Sequence, residues 1–194
     1  MNFLGHIYFS NNDPQLMYAN LHGDFVRGKD LSYLPKKLQQ GILLHRMIDS
    51  YIDHHPKVLE LMRKLYEPLP KVAGIAVDLF FDHVLAREWN NFHEVPLDEF
   101  VESFYQTPLE NEASYSPDFK YMIAKMKEKN WLYQYQFSYG LMKACNGVSS
   151  RISFPNVLHT GHKVFKIYEK EVVQTFYDFM EDAIPHHQAF LKTL

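Results

Sequence analysis

The segment LQQGILLHRMIDSYI, residues 38–52, sets Leu38, Ile42, His45, Ile48 and Ile52 three or four positions apart, with Met47 beside them. That interval repeats along one face of an α-helix and nowhere along a strand. The stretch VAGIAVDLFFDHV, residues 72–84, repeats it through Val72, Ile75, Ala76, Leu79, Phe80 and Val84. No part of the chain alternates apolar and polar residues as a half-buried strand would. Breaks fall at Asn11-Asn12-Asp13-Pro14, His55-Pro56, Pro68, Pro70, Val95-Pro96, Ser116-Pro117, Phe154-Pro155 and Ile184-Pro185, because proline lacks the amide a helix interior needs. The pattern predicts about eight to ten helices, over 2–10, 14–25, 35–54, 56–66, 70–91, 96–106, 116–130, 131–147, 156–183 and 186–193. With 15% aromatic residues and neither repeat nor linker, the expected fold is all-α, a single compact multi-helix bundle with one domain over 1–194.

Composition narrows the function. The chain has 194 residues, 46% of them hydrophobic, which is enough for a sizeable core. Twenty Lys and Arg against 23 Asp and Glu leave a net charge of -3, so no global basic excess exists for nucleic acid or an anionic membrane. A single cysteine, Cys145, excludes an internal disulfide framework and suits a reducing compartment, with the cytoplasm expected. Apolar runs such as 77–81 fall far short of a membrane span, and the N-terminus does not read as a signal peptide. Eleven histidines is a high number, and imidazole with carboxylate is the usual equipment of metal hydrolases.

Four segments hold polar groups that packing alone explains poorly: 2–6 (NFLGH), 23–28 (GDFVRG), 45–49 (HRMID) and 78–83 (DLFFDH). On a helix, His45 and Asp49 share a face, as do Asp78 and Asp82. Asp24 lies between Gly23 and Gly28 at a helix end, where a bend can aim its carboxylate sideways. Imidazoles and carboxylates without thiolate favour Mn²⁺, Fe²⁺ or Zn²⁺, with Mg²⁺ also compatible, and such an ion makes a nucleophile of bound water. Arg27 offers a planar fork for phosphate. Plainer readings stand beside these. His6 alone reads as a satisfied core histidine, and Asp78 and Asp82 as ion-pair partners of Lys71 or Arg87. For His45 and Asp49 the flanking Leu43, Leu44, Ile48 and Ile52 mark a buried surface, where a charge requires a partner or a metal.

The order and spacing of these segments, with Leu85, Arg87 and Trp89 after Asp82-His83 and with Asn146-Gly147 and Ser150-Arg151, resemble the bacterial acyl carrier protein phosphodiesterases. The resemblance implies a helical fold distantly related to HD-type metal phosphohydrolases. It also implies Mn²⁺-dependent removal of 4′-phosphopantetheine from holo acyl carrier protein. It assigns His6, Asp24, His45 and Asp82 as metal ligands, Asp24, Asp49 and His83 to acid-base work, and Asp78 to their support. Arg27, Arg46 and Arg151 become phosphate contacts, and Lys29, Lys36 and Lys37 a rim for the acidic carrier. The chain departs from ordinary HD enzymes in having only the reversed pair Asp82-His83, and its segment 108–133 matches no family motif. Two alternatives remain open: a phosphohydrolase of nucleotides or other small phosphoesters, and a non-catalytic helical carrier-binding protein.

Overall fold

Proline starts helices in this chain more often than it ends them. Pro14, Pro56 and Pro117 are the first residues of α2 (Pro14–Leu21), α4 (Pro56–Leu65) and α7 (Pro117–Glu128), where the missing amide would have no intrahelical partner anyway. The preceding side chains complete two of these starts. Asp13 accepts from the amides of Gln15 and Leu16 at 3.0 and 3.1 Å, and Ser116 from that of Phe119 at 3.2 Å. The computed structural model describes the whole chain, Met1–Leu194. Its other α-helices are α1 (Phe3–Tyr8), α3 (Lys36–His54), α5 (Ala73–Arg87), α6 (Leu97–Gln106), α8 (Trp131–Gln134), α9 (Ser138–Ser149) and α10 (Gly161–Leu191). There is no strand, and the all-helical bundle is compatible with an HD-like architecture. No helix is long and apolar enough to cross a membrane.

Helix α5 runs through the centre. It is apolar nearly all round, as a fully enclosed helix must be, and Ala76, Val77, Phe80, Phe81, Val84 and Leu85 are all buried. Phe81 meets Phe176 of α10 edge-on at 5.4 Å, and Phe80 meets Phe165 of the same helix at 5.3 Å. Each such ring contributes roughly 1.5–3 kcal/mol by leaving water. Helices α2 and α3 pack closest. A side chain at Gly41 would overlap Ala19, so only glycine lets α3 settle onto the α2 backbone. This close approach brings Asn20 of α2 and His45 of α3, both buried, toward one place.

Several expected boundaries fall elsewhere; the helix expected from 156 starts at Gly161, that expected over 70–91 spans Ala73–Arg87, and that expected to 25 ends at Leu21. The expected break at Pro185 does not occur, and α10 continues to Leu191. An interior proline costs about 3 kcal/mol. Here Ala183 and His187 are buried on either side, His187 Nδ1 meets the Ala183 carbonyl at 2.5 Å, and the carbonyl that loses its partner belongs to exposed Glu181. The expected helix 131–147 is instead α8 and α9, separated by a turn at 135–137. The turn frees the Tyr135 carbonyl to accept from His83 Nδ1 at 2.5 Å.

Candidate metal centre

One turn of α3 places His45 and Asp49 on the same face, and α1 brings His6 against them. The Asp49 carboxylate straddles the two rings: Oδ1 lies 3.1 Å from His6 Nε2, and Oδ2 lies 3.1 Å from His45 Nε2. The imidazoles stack with centroids 4.3 Å apart and planes 17° from parallel. Gly23 makes room for this, since a side chain there would overlap the His45 ring. Asp24, in the 3₁₀ turn His22–Phe25, reaches His45 Nε2 with Oδ1 at 3.3 Å. Donor atoms of His6, His45 and Asp49 all lie within 4.8 Å of one another. Neighbouring ligands of one ion stand roughly 3–3.6 Å apart when the bonds are roughly 2.0–2.2 Å, close to the 3.1 Å that separates each Asp49 oxygen from its imidazole nitrogen.

The hydrogen bonds behind His6 show why a cation fits. Asn20 Nδ2 donates to the His6 carbonyl at 2.9 Å and to Ser10 Oγ at 3.0 Å, which fixes the amide's orientation. Its Oδ1 is then the atom 2.9 Å from His6 Nδ1, so Nδ1 carries a proton. Burial, aided by the charge of His45, lowers the His6 pKa, leaving the ring neutral near pH 7 with a lone pair on Nε2. That lone pair faces a carboxylate oxygen at 3.1 Å. Two acceptors face each other, and a positive ion between them resolves the conflict. A partner on the far ring nitrogen is also the usual support of a ligating histidine. Asn20→Ala is expected to weaken Mn²⁺ binding about 10- to 100-fold, read by calorimetric titration of chelator-treated protein; unchanged affinity would remove Asn20 from the site.

Electrostatics point the same way. Burial alone would lower the His45 pKa, but the hydrogen bonds to Asp24 and Asp49 raise it to about 9. For Asp49, burial is likewise outweighed, and the hydrogen bond and positive charge of His45 hold the carboxyl far below the ordinary range. The cavity over these groups, about 500 Å³, is lined by Asp24, Asp49, Asp53 and Asp78, with Arg151 at its edge. Asp78 lies 3.0 Å from the Met1 amino group, and Asp53 sits one helical turn beyond Asp49. These four carboxylates outnumber the Met1 ammonium and the Arg151 guanidinium that share the lining, and the resulting negative field favours a cation.

Several expected site residues are placed otherwise. Asp82, expected as a metal ligand, lies outside the close donor group; its oxygens accept from the amides of Leu4 at 2.7 Å and Gly5 at 3.0 Å and so anchor the start of α1. Burial raises its pKa to about 7. His83, expected in acid-base work, turns to the Tyr135 carbonyl and packs edge-on against Phe165 at 4.8 Å. Arg46, expected on phosphate, donates to the carbonyls of Val26 and Gly28 at 3.3 and 2.7 Å, tethering the loop after Asp24. Lys37 pairs with Asp13 at 2.8 Å. Lys36 starts α3, about 13 Å along the helix from His45, whereas Arg27 and Lys29 are exposed just after Asp24. Sequence reasoning missed Asn20 and Asp53. A polar residue inside the apolar run LMYANL, 16–21, was the available signal for the first.

The family model for acyl carrier protein phosphodiesterase matches residues 1–183. Curated relatives named acyl carrier protein phosphodiesterase include those of Enterobacter sp. (strain 638) and Klebsiella pneumoniae (strain 342). Each is 31% identical over 152 residues, covering 78% of this chain and 79% of the relative. The protein of that name from Salmonella agona is 29% identical over the same length. No solved structure matches the chain. An all-helical bundle in which two imidazoles and a carboxylate stand together beside one cavity, and a family match over nearly its whole length, together make this chain a member of the acyl carrier protein phosphodiesterase family.

Proposed function

We propose that this protein hydrolyses the phosphodiester linking 4′-phosphopantetheine to a serine of holo acyl carrier protein, releasing apo carrier. The observation that carries the reading is the facing of His6 Nε2 and Asp49 Oδ1, two acceptors 3.1 Å apart in the cavity of a phosphodiesterase-family chain. His6, His45 and Asp49 would hold a divalent cation, with Mn²⁺ the first choice and Fe²⁺, Zn²⁺ or Mg²⁺ compatible with N and O donors. When bound, the ion supplies an acidified water and a Lewis acid for phosphoryl oxygens. Asp49 thus takes the ligand place expected of Asp82. Asp24, at the mouth and ionised, orients the attacking water and takes its proton. Arg151 meets the phosphate oxygens as charge grows on them. Asp78 and Asp53 hold the negative field around the site. Arg27 and Lys29, exposed beside Asp24, attract the acidic carrier and raise its association rate more than its affinity. The reading places the enzyme with its carrier in the cytoplasm.

The test is intact mass spectrometry of holo acyl carrier protein incubated with the protein and Mn²⁺. Loss of the phosphopantetheine mass supports the reading. An unchanged carrier beside hydrolysis of nucleotides or other small phosphoesters would replace it.

Metal binding should depend on pH in a stated direction. With its pKa raised to about 9, His45 is protonated in the metal-free protein at neutral pH, and the proton must leave before Nε2 can ligate. Affinity for Mn²⁺ therefore rises about tenfold per pH unit between roughly 7 and 9 and levels off above. The imidazolium's contribution to the metal-free fold runs oppositely: it is complete below the unfolded value of 6.5 and is lost as pH rises through about 9. Calorimetry in buffers of different ionisation enthalpy should show about one proton released per ion at pH 7.5. Release of none would contradict ligation by His45.

A further inference from the structure

A second cavity adjoins the metal centre. It has a volume of about 510 Å³, lies where α8 and α9 meet the start of α1, and shares Asn2, Phe3, Val148 and Arg151 with the carboxylate-lined cavity. The volume suits a small-molecule site, which runs roughly 300–1,000 Å³. Its chemistry differs from that of its neighbour. No carboxylate lines it; the walls carry the side-chain amides of Asn2 and Gln134, the hydroxyls of Tyr135 and Tyr139, and the indole of Trp131. Asn2 Nδ2 donates to the Tyr135 hydroxyl at 3.1 Å, and Lys143 Nζ lies 5.2 Å over the Tyr139 ring.

We propose that this groove holds the pantetheine arm of the substrate, an inference that rests on the phosphodiesterase reading and extends it to how the substrate is recognised. A phosphodiester has two substituents, and Arg151 belongs to both cavities. A phosphate between Arg151 and the metal centre therefore has one open direction into the groove and another past Asp24 to solvent. The carrier is too large for the groove and takes the outer direction. The arm is neutral and extended, with two amides, a hydroxyl and a geminal dimethyl group, and the groove meets it with amides, hydroxyls and aromatic faces, while Lys129, Lys143 and Arg151 give the wall a positive charge that suits an arm ending in a phosphate. Lys129 and Trp131 come from segment 108–133, so a part of the chain that contributes little to the metal centre helps shape the arm's binding site.

Gly147 lines the groove, and a Cβ there meets nothing within 4 Å, so a larger side chain occupies open space and leaves the core as it is. The experiment is calorimetric titration of pantetheine, which lacks the phosphate, into wild type, Gly147→Phe and Tyr139→Ala. Tyr139 is 58% exposed, so its truncation also spares the core. Pantetheine is expected to bind wild type, and both variants to weaken binding at least tenfold. Absence of binding to wild type, or equal affinity in both folded variants, overturns the inference. This readout needs no turnover and is separate from the reading it rests on. A wild type that binds pantetheine yet leaves holo carrier intact refutes the phosphodiesterase reading and keeps the groove.

Discussion

Asp49→Asn is expected to lower hydrolysis of holo acyl carrier protein by more than about a thousandfold, well beyond the roughly 10- to 100-fold that loss of an outer hydrogen-bond partner costs. Asp49 is the only carboxylate facing both imidazoles, through Oδ1 to His6 and Oδ2 to His45. An amide keeps the shape and removes the charge. Its nitrogen can also donate to the His6 Nε2 lone pair, so the facing acceptors are satisfied without any ion. The substitution is therefore expected to leave the melting temperature in chelator within a few degrees of wild type. The rise on adding Mn²⁺, which follows from binding to the folded state alone, should vanish. Differential scanning fluorimetry with and without Mn²⁺, beside the mass assay on carrier, reads both effects. A variant that keeps its Mn²⁺ shift and its turnover would remove Asp49 from the centre.

Asp82→Ala is expected to destabilise the metal-free protein by about 2–5 kcal/mol, because it strands two buried backbone amides at roughly 1–3 kcal/mol each. Those amides belong to Leu4 and Gly5, and the carboxylate that holds them is 1% exposed. For a chain of this length each kcal/mol shifts the melting temperature by about 2–4 °C, so a fall of around 10 °C is expected. Measuring it in chelator separates the two roles considered for Asp82. A ligand contributes nothing to a fold that holds no metal, whereas an anchor of α1 contributes there in full. Because α1 carries His6, the loosened helix should also bind Mn²⁺ more weakly. An unchanged melting temperature in chelator, with metal binding abolished, would return Asp82 to the ligand set.

The helical class was legible because its signal is local: the spacing through 38–52 and 72–84 is the helix surface itself. Pro185 was misread for the converse reason, since burial of Ala183 and His187 is tertiary and outweighs a local penalty. At the site, His45 and Asp49 were legible as an i, i+4 pair on a buried face. The different surroundings of Asp49 and Asp82 were not. Both are acids on apolar helices, and only the arrival of α1 decides that one receives backbone amides and the other faces His6. Asn20 was hidden similarly. Its value lies in holding the Nδ1 proton of a histidine fourteen residues earlier, a relation set by the packing of α1 on α2.

In the proposed reaction, hydrolysis of the carrier's phosphodiester depends on a cation held by His6, His45 and Asp49. The most direct test of that dependence is a time course of intact carrier mass with chelator-stripped enzyme, to which Mn²⁺ is returned in measured steps. No loss of the phosphopantetheine mass is expected before addition, and the rate should climb with bound Mn²⁺ in wild type and stay flat in Asp49→Asn. Full turnover by the stripped enzyme, or equal restoration in Asp49→Asn, would contradict it.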